Sequence, residues 1–394
     1  MSVNLCLERK KDFVKNKVAY IFDLEIDSDS RAQKEIATLI KNGFNVHVLE
    51  WNKDRNYSLR IKNDIIRNVN VKIESIGIKV KKTQGFKSNI RYLLKYEIFL
   101  LKWLLKNRKK IDIIHCVNFD TAFVCLIFSR LFRKKIIYDV FDDYADAHDC
   151  NGKLYSMIKR LDYLTMKKCN YVIICSEKRR TQLWKPLDNV VVIHNSPDID
   201  IDIDIENQNE NFDRRMKIVY VGNLTTKRMI EDLLSIVASE KNYELHCGGT
   251  GPLKDIVEQY AIKYDNIFYY GKMKYENVIN LEKQCDVIPA IYDPSLKNNT
   301  FAAPNKFYEA MYLGKPTIMV HNTGMDKLVE EYHLGITIDN NKEDLRKALF
   351  KIRNNIFCWK KDSERIKSVY QQNFSWDVME KRIIYIYKEL EKEN

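Results

Sequence analysis

Asn305, Lys306 and Glu309 fall within the stretch Ala303-Pro304-Asn305-Lys306-Phe307-Tyr308-Glu309-Ala310-Met311-Tyr312-Leu313-Gly314-Lys315-Pro316. A cation and a carboxylate at i and i+3 share one face of a helix. At a helix start, where free amides and the dipole already favour negative charge, such a pair suits an anionic ligand. On an ordinary surface helix the same spacing is a simple ion pair. Thr225, Lys227 and Arg228 follow Gly222-Asn223 and supply donors for a diphosphate. Gly248, Gly249 and Gly251 let backbone approach a ligand closely, as phosphate-binding turns do. A separate group is His115, Asn118 and Asp120 with Asp139, Asp142 and Asp143. Three carboxylates in five residues suit a polar cleft wall holding one general base or orienting carboxylate. A solvated acidic loop and a metal site are the alternatives.

The elements that must hold these residues alternate strand and helix. Pro304 suits a first helical turn, Phe307, Ala310, Met311 and Leu313 form an apolar face, and Gly314 and Pro316 end the helix. A buried strand at 317–320 follows. At the other end of the chain, a strand at 18–22, cap candidates Asp27 to Ser30, a helix at 31–42 and a strand at 44–49 open a βαβ pattern, so a parallel sheet is expected. The Gly-rich turn that often follows a first strand is missing. Arg31 either helps the helix amides there or is a solvated residue. Further strands are predicted at 69–76, 111–115, 135–139, 171–176 and 190–194. Ligands of open α/β sheets bind beyond the carboxyl ends of strands, which puts His115, Asn118, Asp120, Asp139, Asp142 and Asp143 on one rim. Residues 198–215 alternate Asp with Ile and then turn Asn- and Glu-rich, a solvated linker. The pattern then restarts, with strands at 216–221, 243–247, 267–270 and 287–291 and a closing helix at 376–390.

The chain has 394 residues, enough for two domains, and its 45% hydrophobic content with 23 Tyr and 17 Phe can fill buried cores. Nine cysteines without a CxxC spacing read as reduced core thiols, not as a zinc site or disulfide frame. The N-terminus is charged and lacks a signal-peptide core, and no apolar run reaches the roughly 18 residues of a spanning helix. The net charge of +12 is concentrated at 79–110, where eleven Lys or Arg face one acidic residue, Glu97. Within it, 90–106 reads as a helix whose Arg91, Lys95, Lys102 and Lys106 lie in a wedge about 60° wide. That fits an element drawn to an anionic membrane surface, or a packed helix with a solvated lysine edge. With no recognition motif beside the charge, nucleic acid is not an expected partner.

Pro304-Asn305-Lys306-x-x-Glu309-Ala310-Met311-x-x-Gly314-Lys315-Pro316 resembles the donor-site signature of the retaining glycosyltransferases of family 4, "glycosyl transferases group 1", which have the GT-B fold. Tyr220-Val221-Gly222-Asn223-Leu224 with Arg228, Gly249-Thr250-Gly251-Pro252, Ile114-His115, Tyr138-Asp139-Val140-Phe141-Asp142 and Phe374-Ser375-Trp376 extend the resemblance over nearly the whole chain. It implies two doubly wound Rossmann-like domains facing a cleft. Residues 1–197 would bind the acceptor and 216–375 the nucleotide sugar, with the linker at 198–215 between them and the helix at 376–394 packing back on the first. It also implies a hexosyltransferase-type enzyme without an obligatory metal or other cofactor. Glu309 would hold the ribose, with Arg228, Lys227 and Lys306 on the diphosphate, among donor-side residues Gly222, Asn223, Gly249, Gly251, Ala303 and Asn305. Three positions depart from the family, one of them Asn223, where an Arg is common. Phe301 stands where a second Glu is common, and Phe141 where the loop usually has His. Asp142 is the substitute candidate for orienting the acceptor, with His115, Asn118, Asp139 and Asp143 on the acceptor side. A lipid-linked glycan acceptor at the cytoplasmic face of a membrane, in surface polysaccharide assembly, would account for the basic helix. Rival expectations are a GT-B nucleotide-sugar epimerase and a non-catalytic nucleotide-sugar-binding paralogue.

Overall fold

The computed structural model describes residues 16–80, 86–147, 152–198 and 214–392. The expected linker therefore lies, apart from Asp198, Arg214 and Arg215, outside the described residues, as do Cys6 and Cys150. Of the described cysteines, six are free and buried and Cys358 is free and exposed.

The first sheet holds β1 (Lys17–Phe22), β2 (Asn45–Asn52), β3 (Ser58–Ile66), β4 (Val69–Gly77), β5 (Ile113–Val117), β6 (Lys135–Val140), β7 (Tyr171–Ile174) and β8 (Val190–Val192). Their order is β3-β4-β2-β1-β5-β6-β7-β8. β1 pairs in parallel with β2 and β5, β2 with β4, and β5 with β6. The crossover helix Ser30–Lys41 is capped as its sequence predicts, the Asp29 carboxylate accepting the Ala32 amide at 2.9 Å. The sequence pattern does not announce β3, which runs antiparallel to β4 at the sheet edge. Arg60, Lys62 and Asp64 break up its apolar residues. Its turn, Arg67-Asn68, takes positive φ at both positions (46° and 64°), the hairpin geometry for which glycine is the usual marker.

The second half forms β9 (Met216–Asn223), β10 (Tyr243–Thr250), β11 (Ile267–Tyr269), β12 (Ile288–Pro289), β13 (Thr317–Val320) and β14 (Gly335–Ile338). These make two three-stranded parallel sheets, β11-β10-β9 and β12-β13-β14. A parallel bridge from Ile218 to Val287 links them. The succession is that of a doubly wound nucleotide-binding fold, whose switch point lies between its first and fourth strands, here β9 and β12. Ile218, Tyr220, Leu245, Cys247, Ile318 and Val320 are buried against helix residues such as Leu233, Val237 and Val257, which fixes the strand ends that carry the site.

Two compact units result. The first takes Met1–Asp139, Leu164–Val172 and Ile384–Asn394; the second takes Val140–Tyr163 and Ile173–Ile383. Residues 140–163 and 173–197, assigned by the sequence pattern to the first half, thus group with the second. Side chains there bond to residues 297–308: Asn195 Nδ2 donates to the Ala303 carbonyl (2.9 Å), His194 Nδ1 meets the Tyr308 hydroxyl (2.8 Å), and Asp146 pairs with Lys297 (2.9 Å). The terminal helix runs Trp376–Lys392, and its last turns belong to the first unit, where the Tyr387 hydroxyl meets His115 Nδ1 at 2.8 Å. Among the described residues no helix is long and apolar enough to cross a membrane.

Candidate functional site

The second unit gathers two cations at the carboxyl end of β9. Pro304, with extended φ and ψ, precedes the helix Asn305–Tyr312, so Lys306 sits on its first turn. Its ammonium lies 4.7 Å from the centre of the Tyr220 ring and 2.8 Å from where a Cβ on Gly222 would stand. A side chain at Gly222 would contest the space of the Lys306 ammonium, the far end of a flexible side chain. The Arg228 guanidinium stacks on Tyr292, its central carbon 3.3 Å from the ring centre, and its Nη1 is buried without a hydrogen-bond partner. Neither cation makes an ion pair among the described residues. Both act on the Tyr220 hydroxyl: burial raises its pKa, and Lys306 and Arg228 oppose that rise. Burial alone would lower the pKa of Lys306, but Tyr220, Tyr292, Glu309 and Glu282 outweigh it, so the ammonium stays charged. Two cations without an ion pair among the described residues, one of them on a helix start, have the chemistry to take a diphosphate-type anion.

Lys227, expected to join them, instead pairs with Asp293 at 3.0 Å and is nearly half exposed. Gly249 and Gly251 have positive φ (115° and 151°), but the space beside them is filled by the protein's own backbone. A Cβ on Gly249 would lie 1.8 Å from the Gly222 carbonyl oxygen, and one on Gly251 2.4 Å from that of Leu224. They bring the ends of β9 and β10 together, and the Leu224 amide donates to Thr250 at 2.9 Å. Asn223 is exposed at the tip of β9 and its carbonyl accepts the Tyr220 hydroxyl at 3.0 Å. Asn305 is exposed on the helix start, whereas Ala303 is buried and serves through its carbonyl. Glu309 is buried and accepts a hydrogen bond from the Tyr275 hydroxyl. Below it lies a residue the sequence reading missed. Glu282 is 1% exposed, neither carboxyl oxygen has a hydrogen-bond partner, and burial first, then Glu309, push its pKa well above the usual carboxylate range. Its position on the inward face of the helix Tyr275–Lys283, beside Ile279, was the available signal.

The acidic rim is divided by burial. His115 and Asp139 are not at an open edge but fully buried in the first unit. Arg31 donates to Asp139 (2.7 Å) and Glu35 (3.0 Å), and Tyr20 donates to Glu35 (2.8 Å). His115 Nε2 lies 3.5 Å from Glu35 and 3.6 Å from Asp139. Glu35, His115 and Asp139 each place one possible metal-ligand atom within 4.8 Å of the others. Arg31 already supplies the countercharge to both carboxylates there. Arg31 itself is buried, so it is neither a solvated residue nor a phosphate-loop donor. Asp120 is buried beside Lys53 (3.8 Å). Asn118 has a positive φ of 60° and donates to Asp23 at 3.0 Å. Asp143 is buried in an ion pair with Lys159. Asp142 alone of the three loop carboxylates stays open, its side chain 53% exposed, held by Arg179 (3.0 Å) and Asn298 (3.1 Å). Asn298 belongs to the turn Lys297–Phe301 that leads to Pro304, so Asp142 is tethered to the segment that carries Lys306. Arg179, Asn298, Tyr275 and Tyr292 were not foreseen, because each reaches its partner from a distant part of the chain.

Residues 202–373 match the family model described as glycosyl transferases group 1, and residues 34–201 match glycosyltransferase family 4. The chain is a family 4-like GT-B glycosyltransferase. It is 24% identical over 378 residues to an uncharacterized glycosyltransferase of Methanocaldococcus jannaschii, covering 88% of this chain and 95% of that protein. Its fold is similar to sucrose-phosphate synthase of Thermosynechococcus elongatus (TM-score 0.69, 13% identity, 96% of this chain and 100% of that one). It is also similar to Anabaena HepE, solved in complex with UDP and glucose (TM-score 0.63, 14% identity, 96% and 99% covered).

For this glycosyltransferase, Glu309→Ala should lower transfer by about 100-fold, the scale of a lost hydrogen bond to a charged group, while the circular dichroism spectrum should stay native. Wild-type kcat/KM in that variant would remove Glu309 from the site. The buried cluster predicts a pH effect. Burial, then Asp139, raises Glu35 from 4.5 to about 7. The folded state therefore holds that proton more tightly than the unfolded one. Its contribution to stability is present below about 4.5 and is lost as pH rises through about 7. Glu35→Gln should flatten the decline of Tm between those values, and an unchanged slope would contradict the assignment.

Proposed function

We propose that the enzyme moves a sugar from a nucleotide-diphosphate donor to a glycan acceptor carried on a lipid, with retention of anomeric configuration, in surface polysaccharide assembly. The observation that carries this is the convergence of Lys306 and Arg228 on Tyr220, with Glu309 one helical turn beyond Lys306. In this mechanism the two cations and the helix amides stabilise the leaving diphosphate, and Glu309 holds the ribose, without an obligatory metal. Asp142 orients the acceptor. The UDP and glucose held by HepE support a nucleotide-sugar donor. Phe301 and Phe141 leave sugar recognition and the usual loop histidine to other groups. We further propose that the enzyme works at the cytoplasmic face of an anionic membrane through residues 79–110. The support is the outer side of the helix Phe86–Asn107, where Ile90, Leu94, Ile98, Leu101 and Leu105 are exposed among Lys95, Lys102 and Lys106.

A panel of UDP and GDP sugars, scored for slow donor hydrolysis, tests the donor chemistry. Hydrolysis should appear with one of them and fall by roughly 10²–10³-fold in Arg228→Ala and Lys306→Ala. Binding without turnover, even with acceptor-bearing membranes present, would instead make the protein a non-catalytic binder.

A further inference from the structure

A cleft of 420 Å³ opens in the first unit between the helix Phe86–Asn107 and the segments before β3 and after β4. That volume is in the range of small-molecule sites, roughly 300–1,000 Å³. Tyr92, Lys95, Phe99 and Lys102 line it from the helix, at spacings of three, four and three residues that share one face. Tyr57 and Lys79 close the other side. The helix is held from behind by its buried face. Tyr96 stacks on Trp51 at 4.3 Å, and Trp103 Nε1 donates to Glu74 at 2.8 Å. The cleft is therefore shaped by a fixed element.

Its lining combines two chemistries. Lys79, Lys95 and Lys102 are exposed, and none makes an ion pair among the described residues. Tyr57 is 75% exposed and, with Phe99 and with Tyr92, whose ring also carries the Arg91 guanidinium at 4.7 Å, supplies aromatic surface. Beside them runs the exposed apolar stripe from Ile90 to Leu105. Three unneutralised ammonium groups favour a compact anion, and ammonium is a common phosphate binder. The aromatic walls and adjoining stripe favour a hydrocarbon chain leading away from it.

We infer that this cleft binds one long-chain lipid phosphate, its phosphate on Lys79, Lys95 and Lys102 and its first methylenes against Tyr57, Tyr92 and Phe99. The inference deepens the membrane part of the proposed function and rests on it, because the rest of the chain must lie in a lipid phase. It differs from general attraction to an anionic surface, which sums over all nearby lysines and ignores headgroup shape.

The full-length protein is titrated calorimetrically with dodecyl phosphate below its micelle concentration, with inorganic phosphate, and with phosphatidylcholine vesicles with and without phosphatidylglycerol. Dodecyl phosphate should bind one to one, at least about tenfold more tightly than inorganic phosphate. The exposed pair Lys95→Gln/Lys102→Gln should lose at least about tenfold in that affinity, while Arg108→Gln/Lys109→Gln, on the same chain segment but outside the cleft, should lose none. Equal affinity for inorganic phosphate would overturn the lipid assignment in favour of a plain anion site. Equal losses in both double variants, or no saturable binding of dodecyl phosphate, would overturn the cleft. Binding of the phosphatidylglycerol vesicles with dodecyl phosphate still unbound would overturn the cleft while leaving the membrane reading standing. Donor hydrolysis reports on the second unit independently of all these outcomes.

Discussion

The Lys306 ammonium lies at the end of β9, in space that a side chain at Gly222 would contest. The ammonium stands 2.8 Å from the place a Cβ would take, so the strand end and the helix start share one small volume. Around it the protein provides an electron-rich lining, Tyr220 under Lys306 and Tyr292 under Arg228, with Glu309 and Glu282 near enough to favour the charged lysine. Aromatic faces hold cations without neutralising them. The positive charge therefore remains for a ligand, whereas the same lysine paired as Lys227 is with Asp293 has already spent its attraction on the protein. Gly249 and Gly251 complete the constraint by letting β10 close against β9.

Carboxylates are sorted by the same logic of burial and pairing. Glu35 and Asp139 are buried and kept tolerable by Arg31, and Asp143 by Lys159. Glu282 is buried with no hydrogen-bond partner and resolves the cost by holding its proton. Asp142 keeps an open face while Arg179, itself buried, fixes its orientation. Of the acidic positions around the loop after β6, this is the one whose geometry lets a ligand meet a carboxylate.

The helix Phe86–Asn107 has two apolar faces rather than one. Tyr96, Leu100, Trp103 and Leu104 are buried, while Ile90, Leu94, Ile98, Leu101 and Leu105 are exposed beside lysines. Composition along the helix suggests amphipathicity with a single core-facing side. Packing uses only part of the apolar surface and leaves the remainder exposed beside the cationic cleft.

By itself, the sequence determined the α/β class, the two doubly wound halves, the helix at Asn305 and the candidate roles of Lys306, Arg228 and Glu309. Those signals are local: period, caps, proline and glycine punctuation, and a motif contained within a few turns. Only the tertiary structure decided that Lys227 pairs with Asp293, that His115 and Asp139 are core residues, and that a buried Glu282 acts on Glu309. It also decided that Asp142 is held by Arg179 and Asn298, which lie 37 and 156 residues away along the chain. Whether a charged side chain is a ligand-binding group or an internal ion pair depends on its partner and its depth. Both are set by contacts between distant segments, which no local spacing encodes. The helix at Asn305 thus stays at the centre of the candidate site, but its neighbours were chosen by the fold.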